Sequence, residues 1–185
     1  MTRVIPKFCL NEIDFSFDII IIDFLNVYMR FLQGDYDKMN EETFLDFIDT
    51  ISRHFKNKKI FFVKKVIWEL PEEFIRKALK RNRNFRIFFI DVVKTSDNIK
   101  CKERDDFVCY SLLNSIPNSV VLSNDLKILN PKKINGGDIN IEILSLYELS
   151  LDIQTCLKKN LSYKIKGDYS KVIGFKFSRN KKLIK

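Results

Sequence analysis

The six residues from Asp18 to Asp23, Asp-Ile-Ile-Ile-Ile-Asp, limit the choice of fold more than any other part of the chain. Four β-branched side chains in a row leave no polar face, so a strand built from them must be covered on both sides. That is the situation of a parallel sheet with helices above and below it. The run is far too short to cross a bilayer. Comparable apolar runs recur at 60–63, 85–93 and 119–123, and the intervening stretches carry helical spacing instead. Residues 26–32 suit a short helix broken near Gly34. Behind the cap candidate Asn40, the residues Phe44, Phe47, Ile48, Ile51 and Phe55 line one helix face. Pro71 is expected at the first position of a third helix, and a fourth spans 105–116. A last helix and strand fall between Asn135 and Ile153. Strands that alternate with helices predict an α/β sandwich with a mostly parallel sheet.

With 185 residues, the sequence reads as one domain over 15–155 followed by a basic extension over 156–185. From residue 158 onward ten Lys and Arg face a single acid, Asp168, and a small hairpin turning at Gly167-Asp168 is expected there. Tyr163, Tyr169, Phe175 and Phe177 lie among these bases; they would stack on unpaired nucleotides or pack the hairpin onto the domain. The net charge of +9 points to an anionic partner, nucleic acid ahead of an acidic membrane. Cys9, Cys101, Cys109 and Cys156 are scattered without a CxxC pair, and no signal-peptide pattern opens the chain. An intracellular setting follows as the expectation, the cytoplasm ahead of the nucleus, with no membrane association. One histidine, His54, excludes an HExxH zinc site and argues against a Ser-His or Cys-His nucleophile. The GxxxxGK[ST] loop of P-loop phosphohydrolases is absent. The oligomeric state is left open, a homodimer included.

Ligands of open α/β sheets bind at the carboxyl ends of strands where the winding reverses. Asp23 and Asp125 each close an apolar strand at that end, and the helix after the third strand begins there with Asp105 and Asp106. Cys109, Leu112, Leu113 and Ile116 define that helix's buried face. Asp105, four residues before Cys109, extends the face inward, and Asp106 is turned about 100° toward the rim. Each acid also has an ordinary structural explanation. Asp105 and Asp106 suit a helix N-terminus, and Asp23 or Asn124-Asp125 suit a turn. Asp91 follows an apolar run too, but the strand continues past it, which makes it a supporting candidate only.

These same residues resemble a known group. Residues 19–29, with an aspartate followed three positions later by an asparagine (Asp23 and Asn26), look like the first strand of PIN/NYN-type nucleases. Residues 102–113 and 120–129 resemble the Asp-Asp helix and the Ser-Asn-Asp strand end of Regnase-like NYN ribonucleases, and the similarity covers roughly Ile19 to Asn130. The resemblance implies a PIN-like three-layer α/β sandwich and a metal-dependent endoribonuclease acting on single-stranded or looped RNA. It assigns Asp23, Asp105, Asp106 and Asp125 as catalytic ligands of Mg²⁺ or Mn²⁺, supported by Asn26, Ser123 and Asn124. RNA contacts are expected from Arg81, Arg83, Lys100, Lys102 and Arg104, as a salt-sensitive grip on phosphates. Two departures stand out: Phe24 and Leu25 replace the small residues relatives carry after the first aspartate, and a Leu-Lys-Ile-Leu stretch follows Asp125. They keep a noncatalytic RNA-binding or assembly module as the alternative.

Overall fold

The computed structural model of the chain describes residues 7–9, 16–65, 70–93, 104–124, 140–160 and 172–176. Its strands are β1 (Lys7–Cys9), β2 (Ile19–Asp23), β3 (Lys59–Lys65), β4 (Arg86–Val93), β5 (Ser119–Leu122), β6 (Asn140–Leu144) and β7 (Val172–Lys176). The helices are α1 (Phe24–Phe31), α2 (Glu41–His54), α3 (Glu72–Arg81), α4 (Arg104–Ser115) and α5 (Leu151–Asn160). One sheet joins the strands in the order β1-β7-β5-β2-β3-β4-β6, and only the β4–β6 pair is antiparallel.

Strand alternation divides the core into two layers. Ile20, Ile22, Ile60, Phe62, Ile87, Phe89, Val120 and Leu122 face α1, α2 and α3. Ile19, Ile21, Phe61, Val63, Phe88, Ile90 and Val121 face α4 and the start of α5. The result is an α/β/α sandwich with a mostly parallel sheet. β2 sits at its centre, and Ile20, Ile21 and Ile22 are fully buried. This is the environment that an unbroken β-branched run demands.

The helical layer over α1–α3 is fastened by aromatic rings. Phe24, Tyr28, Phe44, Phe47 and Phe62 approach one another with centroids 5.1–6.3 Å apart, many edge to face, the geometry favoured by ring quadrupoles. α2 opens with a reciprocal cap: Asn40 Oδ1 accepts from the Thr43 N–H at 2.9 Å, and Thr43 Oγ1 accepts from the Asn40 N–H at 3.2 Å. α1 ends where Gln33 (φ 57°) and Gly34 (φ 78°) turn left-handed.

Two expectations change. α1 begins at Phe24 rather than Asn26, because Phe24, Val27, Tyr28 and Phe31 form a complete buried stripe directly after the strand. Pro71 is the N-cap of α3, with extended ψ (131°), and not its first helical residue. The turn and first strand of the expected C-terminal hairpin lie outside the described residues; β7 itself joins the main sheet, with both its neighbours, β5 and β1, running parallel to it. One side of the main sheet is completed from outside the expected 15–155 boundary, by β7 beside β5 and β1 at the edge. Among the described residues no helix is long and apolar enough to cross a membrane.

Tyr28 offers a test of the aromatic layer. Burial holds its phenol above the usual 10.0, with the Thr43 hydroxyl 2.8 Å away pulling less strongly in the other direction. The unfolded phenol therefore loses its proton first, so this group's stabilising contribution is complete below pH 10 and declines as pH rises toward the folded value. Tyr28→Phe should cost about 1 kcal/mol at neutral pH through the lost hydrogen bond. Urea titrations at neutral pH and above pH 10 should show the parent losing more stability with alkalinity than the variant.

Candidate functional site at the carboxyl edge of the sheet

β2 is flanked by β3, the next strand in the chain, and by β5, which follows the fourth helix. The winding reverses between β2 and β5, and their carboxyl ends mark the crevice where such sheets bind ligands. Asp23 ends β2 there. It is also the N-cap of α1, yet its side chain makes no capping hydrogen bond, and α1 has no acid in its first turn. The carboxylate points across to β5 instead: Ser123 Oγ donates to Asp23 Oδ2 at 2.8 Å. Backbone pairing of β2 and β5 stops at Ile22↔Leu122, so this bond extends the ladder by one rung through side chains. A second tie lies beside it. Asn26 Oδ1, from the first turn of α1, accepts the backbone N–H of Asn124 at 2.7 Å. Asp23 is 3% exposed and Ser123 is fully buried, which makes both bonds expensive to break.

By strand alternation Asp23 continues the row of Ile19 and Ile21, the row covered by α4. α4 connects the parallel strands β4 and β5, so it runs antiparallel to them and starts at their carboxyl edge. Asp105 occupies its first turn and is 8% exposed, in line with the buried Val108, Cys109 and Leu112. Two buried carboxylates, about 80 residues apart in sequence, thus share one edge and one face of the sheet. Asp106 follows in the same helix. Asp125, Lys100 and Lys102 lie outside the described residues. Among the described residues no group of three acidic, histidine or cysteine side chains is gathered as for one metal ion.

Phe24 does not obstruct Asp23. It turns to the opposite face, 1% exposed within the aromatic layer, so its bulk serves the core. Asp91 is likewise on the other face. Its partner is Lys64, whose Nζ lies 2.7 Å from Asp91 Oδ1 in the matching register position of β3. The ammonium is off the direction of a good hydrogen bond, so the contact is chiefly ionic. Lys64, 4% exposed, was not singled out from the sequence although its signal is present: it falls in the same alternation as Ile60 and Phe62 and must face inward.

The basic residues expected to guide RNA separate into two groups. Arg104 opens α4 at the carboxyl edge. Arg81 and Arg83 are at the other end of the molecule, because α3 also runs antiparallel to its strands and ends at their amino edge. Arg81 is moreover bound to Asp49 of α2, which Asn82 Nδ2 contacts at 2.8 Å. Arg81 and Arg83, expected as RNA contacts, thus stand at the edge away from Asp23, and Arg104 at the edge that carries it. No family model, curated protein or solved structure matches the chain.

The two partners of the Ser123–Asp23 bond make distinguishable predictions. Ser123→Ala removes the donor to a buried carboxylate and should cost about 1.5–3 kcal/mol. Asp23→Asn retains an oxygen acceptor for Ser123 and should cost less. Equilibrium unfolding of both variants checks the order, and equal losses would contradict it.

Proposed function

We propose that the chain is a divalent-metal-dependent endoribonuclease with a PIN/NYN-like sandwich, cleaving single-stranded or looped RNA at the Asp23 edge. The supporting observation is that Asp23 and Asp105, both buried, lie on one face and at one edge of the sheet beside the switch point, with Asp23 accepting from Ser123 and making no capping bond to α1. Oxygen-only donors suit Mg²⁺ or Mn²⁺. Asp23 and Asp105 would hold such an ion, with Asp106 and Asp125 completing the expected set.

Bound there, the ion would polarise the scissile phosphate and acidify a water for in-line attack. The chain's own contributions are positional. Ser123 fixes the carboxylate of Asp23. Asn26 anchors the backbone of Asn124, and with it the start of the segment carrying Asp125. The N-terminus of α4 adds a partial positive charge at the same edge, favourable to phosphate oxygens. No nucleophilic side chain is required.

The test is cleavage of a labelled, partly looped RNA in Mn²⁺, Mg²⁺ or EDTA. Turnover should require the metal and disappear in Asp23→Asn, whose fold should survive. Ser123→Ala should retain activity reduced about 10–100-fold, as for a group that orients a metal ligand. Metal at about 100 times its Kd should also stabilise the parent by about 2.7 kcal/mol and leave Asp23→Asn unchanged. Salt-sensitive RNA binding without cleavage under any metal would favour the noncatalytic module.

A further inference from the structure

Six basic residues stand on the edge opposite Asp23. Arg53 and Lys56 are at the end of α2 and Lys80 at the end of α3, while Lys59, Arg83 and Arg86 stand at the starts of β3 and β4. All but the half-buried Lys59 are exposed, and among the described residues none of the six makes an ion pair. The bases nearer the start of α3 behave differently: Arg76 is paired with Glu72, and Lys77 with Glu41 and Glu73. Two acids near the amino edge are engaged: Asp49 binds Arg81 and Asn82, and Asp18 accepts from Asn118 Nδ2 at 2.8 Å. Glu148 and Asp152, which follow the Tyr147 that bonds the Arg83 carbonyl, are exposed there and offset part of the basic charge.

Bases at helix C-termini are ordinary, since they complement the helix dipole, and this accounts for Arg53 and Lys80. It does not account for Lys59 and Arg86. These two are register partners, directly opposite each other on adjacent parallel strands, with side chains on the same face. Like charges so placed destabilise a sheet. An anion lying across them would reverse the sign of that interaction.

We infer that the amino edge of the sheet is a binding surface for the phosphate backbone of RNA, separate from the Asp23 edge. The inference takes from the proposed function only the identity of the polyanion. β3 has seven residues, so the two edges are about 23 Å apart. A stacked strand rising about 3.4 Å per nucleotide covers that distance in about seven nucleotides. RNA several times longer can touch both edges.

The test is fluorescence anisotropy of the full chain with a labelled single-stranded RNA several times that length, in EDTA, across a salt series. Lys59→Gln/Arg83→Gln/Arg86→Gln should lower the slope of log K against log salt by about 2, the value for three phosphate contacts. Arg76→Gln/Lys77→Gln, on the same molecule but already neutralised, should bind as the parent does. A triple variant with the parent's slope, or an equal loss in the control pair, would overturn the inference. So would unchanged RNA binding accompanied by lost binding to phosphatidylserine vesicles, which would make the surface a membrane contact. A second readout needs no substitution: RNA should protect Lys59 and Lys80 of the parent from acetylation, and equal labelling with and without RNA would count against the surface. Binding of this kind without metal-dependent cleavage would remove the nuclease reading and leave the surface in place. Cleavage with unaltered binding by the triple variant would do the reverse.

Discussion

A strand buried on both faces can carry charge only at its ends, and this constraint on β2 organises the molecule. Its three central isoleucines require a helical layer on each side of the sheet. The layers require crossovers that bring α1 and α4 to the carboxyl edge with their first turns. The single acid that β2 can tolerate therefore emerges where two helix N-termini and the end of β5 meet. The side-chain rung from Ser123 to Asp23 makes that position compatible with burial.

Much of the architecture could be read from residue patterns because burial and periodicity act locally. The runs at 19–23, 60–63 and 119–122 lack a polar face and had to be interior strands. The Asn40–Thr43 cap and the Phe44, Phe47, Ile51 stripe mark α2 at both the level of capping and of packing. What escaped was non-local. Nothing in Val172–Lys176 distinguishes a hairpin strand from one inserted beside β5, since the difference lies in which distant backbone supplies its hydrogen bonds. The early start of α1 was missed for a different reason: Phe24 was weighed as a substituent near the site, when its spacing with Val27 and Tyr28 already marked it as core.

The site shows the same division. The buried position of Asp105 followed from its four-residue offset to Cys109, a purely helical argument. Asn26 and Asn124 were grouped by resemblance, but their contact runs through a side-chain oxygen and a backbone N–H separated by 98 residues, which no spacing encodes. The edge on which Arg81 and Arg83 stand was not legible, because charge composition carries no direction. Only the antiparallel run of α3 against the strands decides which edge they reach. Lys64 shows the converse, a charged residue just past the run 60–63 that strand alternation turns inward to Asp91.

The junction between β2 and α1 contains no connecting loop. Asp23 is the last residue of one and the cap of the other, and Asn26 follows within a single helical turn. Length variation at this point is therefore forbidden in a way that it is not elsewhere in the chain. One inserted residue would rotate the Phe24–Phe31 stripe by about 100° out of the core and would part Asn26 from Asn124. One deleted residue would shorten the central strand. Diversification of such a domain, by drift or in a directed library, has to occur by substitution around this junction and never by insertion within it.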